Sequence, residues 1–517
     1  MTREPGGAWL AAMAALALYF LTCAPDVLWG DSGTFQVRVA RGELNSPAGL
    51  ALAHPLYIAL ARGFALLPLG TIAYRVNLFS AVCAAAAVGL TFRFVARGTG
   101  DRFAAAIAAV ALAVSHTFWT HAVTAEVYTL YVLLLAGELC CIERYVRTGR
   151  RRGLYLALLL NGLSLSNHVL AALHAPAYLV LMFRRLLRGG LRWRHVPSAA
   201  LFWLSGAGLY VGMIAGQVAA GDSVAAAVRE AFVGKSYQKN VGGGFSPASD
   251  AARTLMSFAL NFPTPLALLL PLAWRRRSST DSRADPINEE TLAAAQASRR
   301  DLALFVALLF AVHFLFAATY TVPDKHVFFQ ACYVLLAIWL GGAAGAWART
   351  PMRRRLCVAA ALLPALVYEI APPLLERWNV PLGGTRDIPG RSTYAYFLRP
   401  RKNGDDGARR FAEEAFATVG PDGYLMAGSP YQPVLAYVRD VEGIGRDTVM
   451  QTGGEVPPAP PTARATPRVV AEFARAGRAY VCDVRPGRIS PEWAERYDFQ
   501  AAGPVFRLTP KSGAEMD

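Results

Sequence analysis

Apolar runs of about 20 residues recur from Ala8 to Pro373 with short polar turns between them, the length a helix needs to cross about 30 Å of hydrocarbon. Read by length and punctuation, the spans fall at 8–24, 73–96, 103–119, 126–146, 153–168, 171–187, 197–219, 252–273, 302–320, 327–347 and 356–373, about eleven in all. The apolar stretch His54 to Pro68 is shorter, carries Arg62 and ends in proline, so it predicts a helix lying in the interface or dipping into the protein. After Pro373 the pattern changes. Helix-like 408–417 and 433–438 alternate with strand-like 424–427 and 479–484, which predicts a small α/β domain. The predicted organisation is therefore an all-α polytopic membrane domain over 1–374 and a small α/β domain over 375–517. Outer loop 25–72 and inner linker 274–301 belong to the first; residues 278–300 read as flexible with one helical turn near 289–297, and 453–467 as a surface loop.

Composition agrees with the pattern. Of the 517 residues, 54% are hydrophobic and only 17% charged, and the mean hydropathy of +0.31 lies on the membrane side. The net charge of +16 does not indicate nucleic acid, because the arginines sit in short clusters between apolar runs, as cytoplasmic loops require. Seven cysteines show neither a disulfide framework nor metal-type spacing. The first run, Ala8 to Cys23, reads as an uncleaved span rather than a cleavable signal peptide. No P-loop, GxSxG or HExxH motif occurs.

With the amino terminus inside, Arg93/Arg97/Arg102, Arg144 to Arg152, Arg184 to Arg194, Arg275 to Arg277 with Arg299/Arg300, and Arg349 to Arg355 all fall on one face. The opposite, outer face receives Asp26 to Gly70, the turns His116 to Glu126, Asn167/His168 and Tyr320 to His326, the loop Gly221 to Asp250, and everything after Pro373. Arg-, Ala- and Gly-rich usage suits a bacterial inner membrane with an extracytoplasmic tail.

Five outer motifs carry candidate chemistry. Asp31, just past the first span, can stay ionised, although Asp31-Ser32 reads equally as a helix cap. His54 precedes Pro55 at a helix entrance, where a structural role is common. Glu126 enters a span beside His116, Trp119 and His121, and an ionisable group there faces protein or a wet cavity. Asn167-His168 and Tyr320-Thr-Val-Pro-Asp324 are individually compatible with ordinary polar turns. Together Asp31, His54, Glu126, His168 and Asp324 approach one face from separate loops, and that convergence predicts a site.

In order, Asp31-Ser-Gly-Thr-Phe35, His54-Pro-Leu-Tyr57, Tyr74-Arg-Val-Asn-Leu-Phe-Ser80, Phe118-Trp119 with Ala125-Glu126-Val-Tyr128, and Asn167-His168 resemble the protein O-mannosyltransferase-like family of bacterial membrane proteins, within the C-type glycosyltransferases. The resemblance covers Asp26 to Val180 and continues more faintly through Tyr320 to Asp324 and Gly407 to Gly443. The chain departs from the family at Leu50-Ala-Leu-Ala-His-Pro-Leu-Tyr57, and at Gly428-Ser-Pro-Tyr431, which stands where a Gly-Asp-Asn-rich turn is usual.

The resemblance implies inverting transfer of mannose or a similar hexose from a polyprenyl-phosphate carrier to an acceptor hydroxyl, on a C-type glycosyltransferase membrane fold. Asp31 would be the base and Glu126 its assistant. His54, His168 and Arg75 would meet the carrier phosphate, and Tyr57, Asn77, Trp119, Tyr128, Asn167 and Asp324, in the same motifs, would line the substrate and carrier site. The implied partners are the bilayer, the lipid-linked sugar donor and a protein or glycan acceptor. A divalent metal would suit carboxylate and imidazole, but no ligand spacing requires one. Two other classes remain open: a transporter or lipid-carrier flippase, which should carry ionisable groups near the bilayer midplane, and a non-catalytic scaffold whose tail binds a partner.

Overall fold

The computed structural model describes residues 5–234, 246–275, 289–382, 388, 391–451, 462–463, 466–485, 488–489 and 491–512. Parts of the expected loops at 221–250, 278–300 and 453–467 lie outside the described residues.

The membrane part begins with α1 (Pro5–Thr22), α2 (Asp31–Arg41), α3 (Pro55–Phe64), α4 (Ile72–Thr99), α5 (Arg102–Ala113), α6 (His116–Ala122), α7 (Val127–Thr148) and α8 (Arg151–Asn167). It continues with α9 (Ala175–Leu187), α10 (Val196–Ala219), α11 (Val224–Val233), α12 (Pro247–Asn261), α13 (Leu270–Arg275), α14 (Glu289–Thr319), α15 (Gln330–Trp347) and α16 (Pro351–Arg377). Local chemistry sets these bounds. Thr71 Oγ1 accepts from Tyr74 N–H (3.1 Å) to start α4, and Asp101 Oδ1 accepts from Phe103 and Ala104 N–H to start α5. Gly100, at φ +68°, ends α4 in the left-handed region that glycine tolerates. Gly162 of α8 and Gly206 of α10 let two helices touch: a Cβ on either would come within 2.2 Å of the other helix's backbone oxygen.

Six helical stretches among the described residues are long and apolar enough to cross a membrane alone. They number up to eight if two bent pairs, α5 with α6 (69°) and α12 with the turn after it (107°), each count as one span. The eleven expected spans correspond to these eight together with α1, α7 and α8, which fall outside the count by length or charge alone. The apolar stretch of α1 and helix α8 are 17 residues each, and α7 carries Glu138, Glu143 and Arg144. All three still pack into the bundle. Asn261-Phe-Pro-Thr-Pro265 breaks the predicted span 252–273, because proline cannot continue the backbone ladder. The helical turn expected near 289–297 is instead the start of α14, a 31-residue helix. Helix α3, at 10 residues, is too short to span.

The tail comprises α17 (Thr393–Leu398), α18 (Gly407–Val419), β1 (Tyr424–Met426), α19 (Tyr431–Asp440), β2 (Val449–Gln451), β3 (Thr462–Ala463), α20 (Pro467–Arg475), β4 (Ala479–Val481), α21 (Pro491–Arg496), β5 (Tyr497–Ala502) and β6 (Val505–Pro510). The sheet order is β3-β2-β1-β4-β6-β5. The first four strands run parallel, and β6 pairs antiparallel with both β4 and β5.

This domain is docked on the first loop of the membrane part. Trp29 packs against Phe411 and Tyr431, with ring centroids 5.3 and 5.8 Å away. Arg409 ion-pairs with Asp26 and Glu442, Arg41 pairs with Asp440, and Ala73 N–H donates to Tyr437 Oη at 2.9 Å.

Candidate functional site

The chain runs back and forth between two ends of the bundle, and the ends differ in chemistry. One holds the links before α4, α7 and α15 and after α8 and α14. The other holds Arg97 and Arg147 on Glu143, and Arg184, Arg185 and Arg188 on the buried Asp301.

At the first end lies a cavity of about 170 Å³ whose lining includes Asp31, His54, Glu126, Tyr128, His168 and Asp324. The structure thus brings together all five residues expected to converge. Phe232, Phe316, Val322 and Phe328 complete an apolar wall.

Gly30, at φ +63°, turns the chain into α2 so that Asp31 opens the helix, exposed, ahead of the buried stretch Ser32 to Val39. Behind it, Gln36 Oε1 accepts from Leu28 N–H (3.0 Å) and Gln36 Nε2 donates to Asn77 Oδ1 (2.8 Å). Asn77 Nδ2 in turn donates to the carbonyls of Ala24 and Asp26. Asn77 therefore braces the Asp31 loop from behind and is absent from the cavity lining.

Glu126 sits in the link before α7. Its N–H donates to Ser80 Oγ (3.1 Å), and Ser32 Oγ donates to its Oε1 (3.2 Å). Burial, and then the neighbouring Asp31 carboxylate, push the Glu126 carboxyl well above the usual range. Both effects favour the protonated form of Glu126.

The two histidines are not equivalent. His54, at φ 48°, points Nδ1 at the Asn167 carbonyl (2.8 Å), so Nδ1 carries the proton and Nε2 is an acceptor. Burial, reinforced by the Arg38 charge and opposed by that hydrogen bond, holds its imidazole down at about 4. His168 Nδ1 accepts from Leu170 N–H (3.1 Å), which leaves the proton on Nε2 as a donor. Burial and His54 pull His168 well below its usual value, keeping it neutral. The two rings lie 5.0 Å apart, and Tyr128 packs 5.1 Å from His168.

Other expected residues stand behind the wall. Tyr57 Oη meets Ser80 Oγ at 3.1 Å, Trp119 Nε1 donates to Thr22 Oγ1 at 3.0 Å, and Asn167 Nδ2 donates to the Val127 carbonyl at 3.1 Å. Arg75 spends its guanidinium on the carbonyls of Ala65, Gly70 and Thr71, so it clamps the end of the loop after α3 and is absent from the cavity lining.

Sequence reasoning missed Arg38. It is buried in the cavity wall and donates to the carbonyls of Leu44, Leu52 and Ala53, tying down the segment that ends at His54. Among the described residues its Nε has no hydrogen-bond partner. A second omission is a polar cluster deep in the bundle. Glu138 Oε2 accepts from Tyr178 Oη (2.8 Å) and Asn161 Nδ2 (3.3 Å) and meets His174 Nδ1 (3.0 Å). Tyr131 Oη bridges His174 and His313. A signal was available: acids and histidines inside apolar runs. Among the described residues, no group of three or more His, Cys, Asp and Glu is arranged to hold a metal ion.

Residues 31–188 match the family described as the Protein O-mannosyl-transferase TMEM260 N-terminal domain. Mouse Protein O-mannosyl-transferase TMEM260 is 30% identical over 130 residues, which is 25% of this chain and only 18% of that protein. The fold is similar to ArnT from Cupriavidus metallidurans bound to undecaprenyl phosphate, with a TM-score of 0.59 and 14% identity over 98% of each chain. It is likewise similar to that protein's apo state, with a TM-score of 0.55 and 14% identity over 98% of each chain. Residues 31–188 thus match a protein O-mannosyl-transferase family model, and the chain as a whole is similar in fold to ArnT.

Proposed function

We propose that this protein is a GT-C glycosyltransferase that moves mannose or a similar hexose from a polyprenyl-phosphate carrier to an acceptor hydroxyl, with inversion. The observation that carries the reading is the cavity joining Asp31, Glu126, His54, His168 and Asp324 to an apolar wall at one end of the bundle. Polar groups there suit the sugar and phosphate, and Phe232, Phe316 and Phe328 suit the first isoprene units of a carrier arriving from lipid. Undecaprenyl phosphate, named for the Cupriavidus structure, is the carrier class this reading takes.

Asp31 removes the proton from the acceptor hydroxyl as its oxygen bonds to the sugar's anomeric carbon. The bond from that carbon to the phosphate oxygen breaks on the opposite side, and the polyprenyl phosphate leaves with the electron pair. His168 Nε2–H is the neutral donor for the charge growing on the phosphate, while His54 Nε2 accepts from a sugar or acceptor hydroxyl. Protonated Glu126 avoids a second negative charge beside Asp31 and supplies a further donor.

Orientation follows from the arginines: with their end cytoplasmic, the cavity and the α/β domain face outward, across a bacterial inner membrane. The test is mass spectrometry of glycoproteins and glycans from cells with and without the gene. A hexose-sized difference on proteins or glycans is expected. An unchanged profile, or full transfer by a folded Asp31→Asn protein, would sink the reading.

A further inference from the structure

The α/β domain has a crevice of its own. Its strands β3, β2, β1 and β4 are parallel, and the chain passes from β1 to one side of the sheet and later returns to β4 on the other. Between β1 and β4 the connections therefore diverge, and in open α/β sheets ligands bind outside the carboxyl ends of the strands at such a point. A cavity of about 450 Å³ lies there, lined by Ser429 and Tyr431 after β1, Gln451 at the end of β2, Asp483 after β4, and Arg488 and Trp493. That volume is in the range of small-molecule sites, roughly 300–1,000 Å³.

The lining chooses the ligand. A phosphate needs donors only, and the start of α19 has little left to give: Tyr431 and Gln432 N–H both donate to the Gly428 carbonyl, and Pro430 has no N–H. Asp483 adds a carboxylate, which accepts only, fixed in place by Arg485 through bonds of 2.8 and 2.5 Å. Acceptors and donors mixed around a half-exposed indole suit hydroxyl groups, which do both, on a ring whose C–H face can stack.

We infer that this crevice binds a neutral saccharide, as the acceptor side of the proposed transfer. The acceptor role rests on the proposed function; the binding does not. The crevice is tied to the membrane site by its own wall. Tyr431 packs on Trp29, and the Pro430 carbonyl accepts from Gly30 N–H at 3.3 Å. A saccharide held there lies beside the loop that carries Asp31.

The test uses the full-length protein in nanodiscs, titrated by saturation-transfer NMR with neutral di- to tetrasaccharides built on mannose, glucose, galactose and N-acetylglucosamine, and separately with inorganic phosphate. At least one saccharide should bind, its Kd rising tenfold or more in Trp493→Ala and, as a milder second variant, severalfold in Gln451→Ala. Asp31→Asn should keep that binding even where transfer is lost, which separates failure of this site from failure of the transferase reading. No saccharide bound, an undiminished affinity in both crevice variants, or phosphate bound in place of sugar would overturn the inference.

Discussion

Two polar clusters share this bundle, and their difference assigns their roles. The rim cluster around Asp31 and Glu126 faces a cavity, while the deep cluster around Glu138 is buried against its own partners, Tyr178, Asn161 and His174. Glu138 lies twelve residues beyond Glu126 on α7, about 18 Å deeper along the helix axis. An ionisable group at such depth is what a transporter reading asks for. Here, however, three helices and the turn before α9 close around it with hydrogen bonds, a construction that fixes packing rather than passes cargo. The proposed function accordingly places chemistry at the rim and register in the interior.

The largest expected effect breaks the rim. Asp31→Asn keeps the shape but removes the proposed base, and transfer should fall about 100- to 10,000-fold with melting temperature unchanged, measured on purified protein in nanodiscs. Glu126 sharpens the same side. Burial and Asp31 raise its pKa, so its protonated form persists to higher pH than that of an ordinary carboxylate, and wild-type transfer should decline as pH rises through that value. Glu126→Gln, a permanently neutral donor, should keep most activity and lose the alkaline decline. Glu126→Ala, lacking the donor, should drop roughly 100-fold at all pH values. A pH–rate series on the three proteins checks this.

The deep cluster should respond in stability instead. Glu138→Ala strands His174, Asn161 and Tyr178, and about 3 kcal/mol of destabilisation is expected, read as a lowered melting temperature, with kcat of the folded fraction retained. A large fall in kcat at unchanged stability would erase the distinction between the clusters. Smallest is the domain contact: Arg41→Ala removes the ion pair to Asp440 and should cost about 1 kcal/mol, visible as faster hydrogen exchange in α19 and α2.

The rim was legible in the sequence because its residues lie in short motifs at span ends, where a carboxylate or imidazole stands out against alanine and leucine. Their ordered spacing already implied convergence. What each histidine donates was not legible, since that depends on the Asn167 carbonyl and the Leu170 N–H, tertiary partners of His54 and His168. Arg38 looked like one more arginine; its work on three loop carbonyls exists only once α2 meets that loop. Glu138, His174 and His313 sit singly inside apolar runs, and only the packing of their helices makes a cluster of them. Strands β2 and β3, three and two residues long, are too short for alternation to register. The break at Pro263 and Pro265, by contrast, was written in the sequence.

The most direct measurement sets one residue from each cluster side by side: hexose transfer from a synthetic polyprenyl-phosphate sugar by Asp31→Asn and Glu138→Gln proteins in the same bilayer, normalised to folded protein. A loss of about 100-fold or more for Asp31→Asn, with Glu138→Gln within about threefold of wild type, is expected from a base at the rim and a brace in the interior. Wild-type transfer by Asp31→Asn would contradict it.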